Sequence, residues 1–209
     1  MTNTSSTQSC YICKAKPLEM NNLELVSHKS PNIENYGFGI SPLHSWIRFL
    51  ECCLHISYRL AFKTYQARGD NKSLLENKKK ELIEKLGKEI GILVDQPKPG
   101  SDSSNDGNSA RVFLRNPALT ARLTGLDENL LRRFNVILTT LSCSYRVNAA
   151  RFDRYARETA ELYVQLYGWY YMPPSVHKVL IHGGEIIKSA LLQLGQLSEE
   201  AQESKNKDF

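Results

Sequence analysis

The run SPLHSWIRFLECCLHISYRLA, residues 41–61, decides the fold class. Ser41 is a favourable N-cap, and Pro42 suits the first helical position, where its missing N–H costs nothing. Leu43, Trp46, Ile47, Leu50, Cys53, Leu54, Ser57, Leu60 and Ala61 recur at three- and four-residue steps, so the segment is predicted as one long buried helix.

The same pattern continues on the C-terminal side. Gly69-Asp70-Asn71 breaks the first helix, and Ser73 with Glu76 reads as a capping box opening a second. Its apolar stripe is Leu75, Leu82, Leu86, Ile90 and Leu93. Glu81 to Lys85 and Glu84 to Lys88 are favourable i,i+4 pairs, each worth only ~0.2–0.5 kcal/mol. The lysines at 78–80 read as a solvated helix face. Residues 97–108 are dominated by Pro, Gly, Ser, Asp and Asn, and are predicted as an exposed loop within one domain. Asp127 then caps a stripe of Leu130, Phe134, Ile137, Leu138 and Leu141. Asn148 caps another, carrying Phe152, Tyr155, Thr159, Leu162, Tyr163 and Leu166. Ser175 is expected to cap a helix that Gly183-Gly184 interrupts, and a last acidic helix is expected from Ser198.

On the N-terminal side periodicity fades, because Pro17, Ser30-Pro31 and Gly37-Phe38-Gly39 divide the first forty residues. No internal repeat and no strand alternation is present. The expected fold is therefore mainly α, as a single domain over residues 1–209. It comprises a Cys-pair segment (1–40), two long helices (41–96), a loop (97–108), Arg-rich helices (109–172), and the His pair with an acidic terminal helix (173–209).

Composition excludes several classes. Hydrophobic residues at 41% and charged residues at 23% are ordinary globular usage, which rules out general disorder. Lys and Arg number 27 against 22 Asp and Glu, so the net charge of +5 allows an anionic partner without demanding one. The longest run without Asp, Glu, Lys or Arg, residues 162–177, is broken by Gly168 and Pro173-Pro174. A bilayer span needs ~20 mostly apolar residues, so no membrane segment is expected. The first nine residues have no apolar core, so no secretory signal is expected either. Five cysteines without an export signal argue for reduced thiols or metal ligands rather than disulfides.

Cys10 and Cys13 form a Cys-x-x-Cys pair whose thiolates can point at one ion. Alone it is half a metal site, and a redox-active pair or two unpaired thiols are the alternative readings. His177-x4-His182 supplies a candidate second half within the His-x3–5-His range. Five residues on a regular helix place the two rings ~140° apart, so sharing one ion calls for helix distortion, which Gly183-Gly184 would ease. The competing reading leaves His177 exposed and His182 at a helix C-terminus. Cys52, Cys53 and Cys143 read as small core residues. Nine arginines and no lysine lie between residues 110 and 160, against Asp127, Glu128, Asp153 and Glu158. Such clustering suits a phosphate backbone, with a salt-bridged helix surface as the alternative. Trp169-Tyr170-Tyr171 could stack on bases, although helix-end packing accounts for it as well.

The order of these motifs resembles the C-terminal half of the catalytic core of Transib transposases and the V(D)J recombinase catalytic subunit. The matching residues are Tyr11-Ile-Cys13 with Cys10, Leu18-Glu19, Leu43-His44, Asn105-Asp-Gly-Asn-Ser-Ala-Arg111 and Asn148-Ala-Ala-Arg-Phe152. They continue through His177-Lys178, His182 and Glu185-Ile-Ile187, and close with Gly195-x7-Glu203-Ser204-x-Asn206-Lys207. The resemblance covers almost the whole chain, although most intervening residues differ. It implies a zinc-stapled helical insertion in an RNase H-like DDE nuclease domain, here with an incomplete nuclease sheet. Structural zinc would fall on Cys10, Cys13, His177 and His182, and the final carboxylate of the Asp-Asp-Glu triad on Glu203. Mg²⁺ or Mn²⁺ would serve only a complete enzyme. The family's two catalytic aspartates precede the Cys pair, and residues 1–9 hold no acid, so the chain is expected to be catalytically inactive alone. DNA is the implied partner, contacted through Arg111, Arg132, Arg133, Arg151 and Arg154, with nuclear localisation and a homodimer as in related recombinases. The alternative is a domesticated, non-enzymatic zinc-stapled module that binds DNA or protein.

Overall fold

The computed structural model describes residues 9–96 and 105–190. Regular structure there is helical, with no strand among the described residues. The α-helices in chain order are α1 (Leu23–Ser27), α2 (Pro42–Ser57), α3 (Asn71–Ile90), α4 (Gly107–Arg115), α5 (Pro117–Thr124), α6 (Glu128–Ser142), α7 (Ala149–Tyr167) and α8 (Pro174–Ser189). Short 3-10 turns at Pro17–Glu19 and Ile33–Phe38 flank α1. The chain gathers into two compact units. One comprises Met1–Ser45 with Thr139–Phe209, and the other is Trp46–Leu138.

In the Trp46–Leu138 unit, Trp46, Phe49, Leu50, Leu54, Phe113, Leu131 and Phe134 are buried, and Phe49 meets Phe134 edge-on at 4.8 Å. The predicted helix over residues 41–61 stops at Ser57. Beyond it the backbone passes into i→i−3 turns, and two tertiary bonds form at this end: the Ser57 hydroxyl donates to the Thr124 carbonyl at 2.6 Å, and the Tyr58 hydroxyl to Asp95 Oδ2 at 2.9 Å. The capping box expected at Ser73 does not form. α3 begins at Asn71 with Asp70 in the N-cap position, three residues before the expected cap, so Ser73 sits inside the first turn and its hydroxyl donates back to the Asp70 carbonyl at 2.8 Å. Gly91, at φ +70°, ends α3 in the left-handed region that glycine adopts freely. Beyond it the helical period is lost: Leu93 is 56% exposed while Ile92 and Val94 are buried.

The predicted loop is shorter than residues 97–108. Asp106 caps α4 by accepting from Ser109 N–H at 2.7 Å, so Gly107 and Asn108 are already helical. The Asn105 amide donates to Asp95 Oδ1 and accepts from Asp95 N–H, at 2.8 and 3.0 Å. Neither α4 nor α5 was separately legible, because each is short and Asn116-Pro117 divides them. The caps at Asp127 and Asn148 form as read, accepting from Leu130 N–H at 2.8 Å and Arg151 N–H at 3.0 Å.

In the other unit α7 packs closely on α8. Gly183 and Gly184 do not interrupt α8, which is continuous from Pro174; Pro173 rather than Ser175 holds the N-cap position, with no side-chain cap bond. The two glycines are contact points. A β-carbon on Gly183 would stand 2.7 Å from a Phe152 ring carbon, and one on Gly184 would stand 2.4 Å from the Asp153 β-carbon. At the end of α7, Tyr163, Tyr167, Trp169 and Tyr170 form a chain of edge-on ring contacts with centroids 5.9–6.5 Å apart, the helix-end packing reading of the aromatic cluster.

Candidate metal centre

The Cys10–Cys13 pair is shaped by a tight turn. Lys14 N–H donates to the Cys10 carbonyl at 2.7 Å, and Cys10 N–H to the Ala15 carbonyl at 2.8 Å, with Lys14 at φ +58°. A lysine in the left-handed region carries a local strain of order 1 kcal/mol, which the surrounding bonds hold in place. Ile12 and Ala15 are fully buried. Asn32 N–H donates to the Ile12 carbonyl at 2.8 Å, and the Asn35 amide to the Tyr11 carbonyl at 2.7 Å. These contacts fix the face on which the two sulfurs stand.

His177 and His182 both project from α8, and their ring centroids lie 5.3 Å apart. The ~140° angular separation expected from helix geometry is met without breaking the helix. One ligand atom from each of Cys10, Cys13, His177 and His182 can be chosen so that all four lie within 4.8 Å of one another, and all four residues are buried. Cys13 Sγ is 3.4 Å from His177 Nε2, across 164 residues of sequence.

The donor set fits a metal ion. His177 Nδ1 and His182 Nε2 are buried with no hydrogen-bond partner among the described residues. An orphaned buried polar atom costs about 1–3 kcal/mol, so a core that holds two beside two sulfurs is arranged for something other than protein donors. Electrostatics agree. The Cys10 thiol is pushed down to about 2, first by its hydrogen bond with Cys13 and then, against burial, by the two imidazoles. The Cys13 thiol is held far above its ordinary value, first by the same bond and then by burial. Burial pushes His177 down, which favours the neutral imidazole that ligates metals. Lys178, whose ammonium sits 4.8 Å over the Tyr11 ring, is also lowered, chiefly by burial.

A second tie holds the N-terminal segment, and sequence reading missed it. The Asn21 amide donates to the carbonyls of Gly168 and Tyr170, both at 3.0 Å, and accepts from Met172 N–H at 2.9 Å. These partners lie 147–151 residues away, so no local pattern announces them.

The remaining candidates are dispersed. Cys52 and Cys53 are buried elsewhere, and Cys143 is half-buried with its thiol 3.6 Å from the Tyr145 carbonyl. Arg111 is half-buried, its guanidinium 5.5 Å from the Trp46 ring centroid. Arg132 is exposed and paired with Glu128 one turn earlier, and Arg133 is half-buried. These three belong to the Trp46–Leu138 unit, whereas exposed Arg151 and Arg154 belong to the other. Glu203 lies outside the described residues. No protein-family model matches the chain, and no curated protein matches it.

Proposed function

We propose that this chain is a zinc-stapled helical module of a Transib-like DNA recombinase, in which one structural zinc ion joins Cys10, Cys13, His177 and His182. The convergence of these four buried side chains from distant parts of the sequence supports the metal staple, and the order of the sequence motifs is what supports the recombinase reading. Two thiolates and two imidazoles are a donor set that zinc takes readily, and a closed four-ligand set suits a structural rather than a catalytic site. Bound zinc supplies a cross-link and folding free energy. The residues do the rest: the turn over residues 10–15 presents the sulfurs, α8 presents the imidazoles, and all four side chains are buried. The link closes a loop of more than 160 residues, whose closure entropy grows only slowly with length.

On this reading DNA is the partner, the setting is nuclear, and the assembly is a dimer. Glu203 would hold Mg²⁺ or Mn²⁺ only within a complete Asp-Asp-Glu site, alongside two further aspartates. Chelation tests the staple. Removing zinc from the full chain should lower its unfolding midpoint, and restoring zinc should recover it. A midpoint indifferent to chelator would overturn the assignment.

A further inference from the structure

We propose that the α4–α5 surface, through Arg115 and Arg122, is where this chain grips the phosphate backbone of duplex DNA. The inference rests on the DNA reading above and adds the place of contact. Charge is unequally divided between the two units. Trp46–Leu138 carries 16 Lys and Arg against 11 Asp and Glu, whereas the remaining residues carry 11 of each, so the whole excess of +5 lies in one unit.

Within that unit many exposed cations already have acidic partners. Lys78 and Lys85 both pair with Glu81 at 2.7 Å, Arg48 pairs with Glu51 at 2.7 Å, and Arg132 pairs with Glu128. Helices α4 and α5 differ. Residues 107–124 hold three arginines, Arg111, Arg115 and Arg122, and no acid. Arg111 is braced against Trp46, while Arg115 and Arg122 are exposed.

Two exposed arginines with no lysine beside them suit phosphodiester oxygens, which accept the planar fork of guanidinium donors. A lipid surface fits poorly, because no large hydrophobic side chain between residues 107 and 124 is exposed. Single strands fit poorly too. Binding them takes exposed aromatic platforms, and no aromatic side chain of this unit is exposed among the described residues. A double helix, gripped through its backbone, is what remains.

The test is fluorescence anisotropy of the full zinc-loaded chain with a short labelled DNA duplex of mixed sequence across a salt series. The variant R115Q/R122Q should weaken binding roughly tenfold at moderate salt and reduce the log–log salt slope by ~1.8, the share of two phosphate contacts. Its far-UV circular dichroism and unfolding midpoint should match those of the unsubstituted chain, since both side chains are exposed. The variant K78Q/K85Q removes the same charge from the same unit and should stay within about twofold. Binding by R115Q/R122Q equal to that of the unsubstituted chain would overturn the placement while leaving DNA binding intact. Equal affinity for duplex RNA would overturn the assignment to DNA. No binding of any duplex by the unsubstituted chain would remove the DNA reading itself.

Discussion

Replacing Gly184 with alanine probes the contact that seats α8, and with it both imidazoles. Helix propensity alone favours alanine over glycine inside a helix by about 1 kcal/mol. Space acts in the opposite direction. The new β-carbon would stand 2.4 Å from the β-carbon of Asp153 and 2.7 Å from its Oδ1. The Asp153 β-carbon is fixed to the α7 backbone, so no rotamer change relieves the contact, and the two helices must separate by about 1 Å to restore ordinary packing. Overpacking typically costs ~1–3 kcal/mol, and an obstruction anchored to backbone belongs at the upper end of that range. The net expectation for Gly184→Ala is a loss of about 2 kcal/mol, or roughly thirtyfold in the folding equilibrium constant. Urea unfolding of the zinc-loaded chain, followed by far-UV circular dichroism, reads this directly. Gly183→Ala should cost less, about 1 kcal/mol, because its obstruction is the edge of the Phe152 ring, 2.7 Å away and able to turn. A Gly184→Ala chain as stable as the original, or more so, would mean that α7 and α8 have slack between them, and would refute the close-packing argument.

Asn21→Ala strands the buried Met172 N–H and removes two donated bonds, so it should destabilise the protein by about 2–4 kcal/mol in urea; Asn21→Asp keeps the acceptor for Met172 but sets a carboxylate oxygen against the carbonyls of Gly168 and Tyr170, and should cost at least as much at neutral pH. Burial, with Arg59 nearby, pushes His55 down to about 4, so the unfolded chain takes up its proton first as pH falls. Stability contributed by neutral His55 should be complete above pH ~6.5 and lost between about 6.5 and 4, by up to ~3 kcal/mol less what its partial exposure returns. Comparing His55→Gln with the original chain at equal zinc isolates that slope, since metal release affects both alike. Cys52→Ser and Cys53→Ser should lower stability yet leave the bound-metal content unchanged, because both thiols are buried away from the cluster.

Local chemistry made the helices legible where one residue decides the outcome. Asp127 and Asn148 cap α6 and α7 because a short polar side chain before an apolar stripe has few better uses. Errors arose where distant groups competed. Past Ser57 the backbone tightens into turns, Arg59 N–H to the Ile56 carbonyl and Leu60 N–H to the Ser57 carbonyl, while Ser57 and Tyr58 bond to Thr124 and Asp95, residues that no window around position 57 contains. Gly183-Gly184 looked like a break because propensity penalises glycine, whereas the neighbouring helix requires it. At the candidate centre, residue types and spacing named all four side chains, and geometry alone cast doubt on the two histidines. The reach of an imidazole, which helical-wheel angles omit, resolves that doubt at a ring separation of 5.3 Å. The Asn21 clamp was invisible for the same reason as the end of α2: its three partners are backbone groups far along the chain.

Metal content bears most directly on the whole account. The purified full chain, grown with zinc and freed of loosely held ions, should contain about one zinc per chain by elemental analysis, and Cys13→Ser and His182→Ala should each bring that close to zero. A chain that carries no zinc, or variants that retain the full equivalent, would contradict the account at its centre.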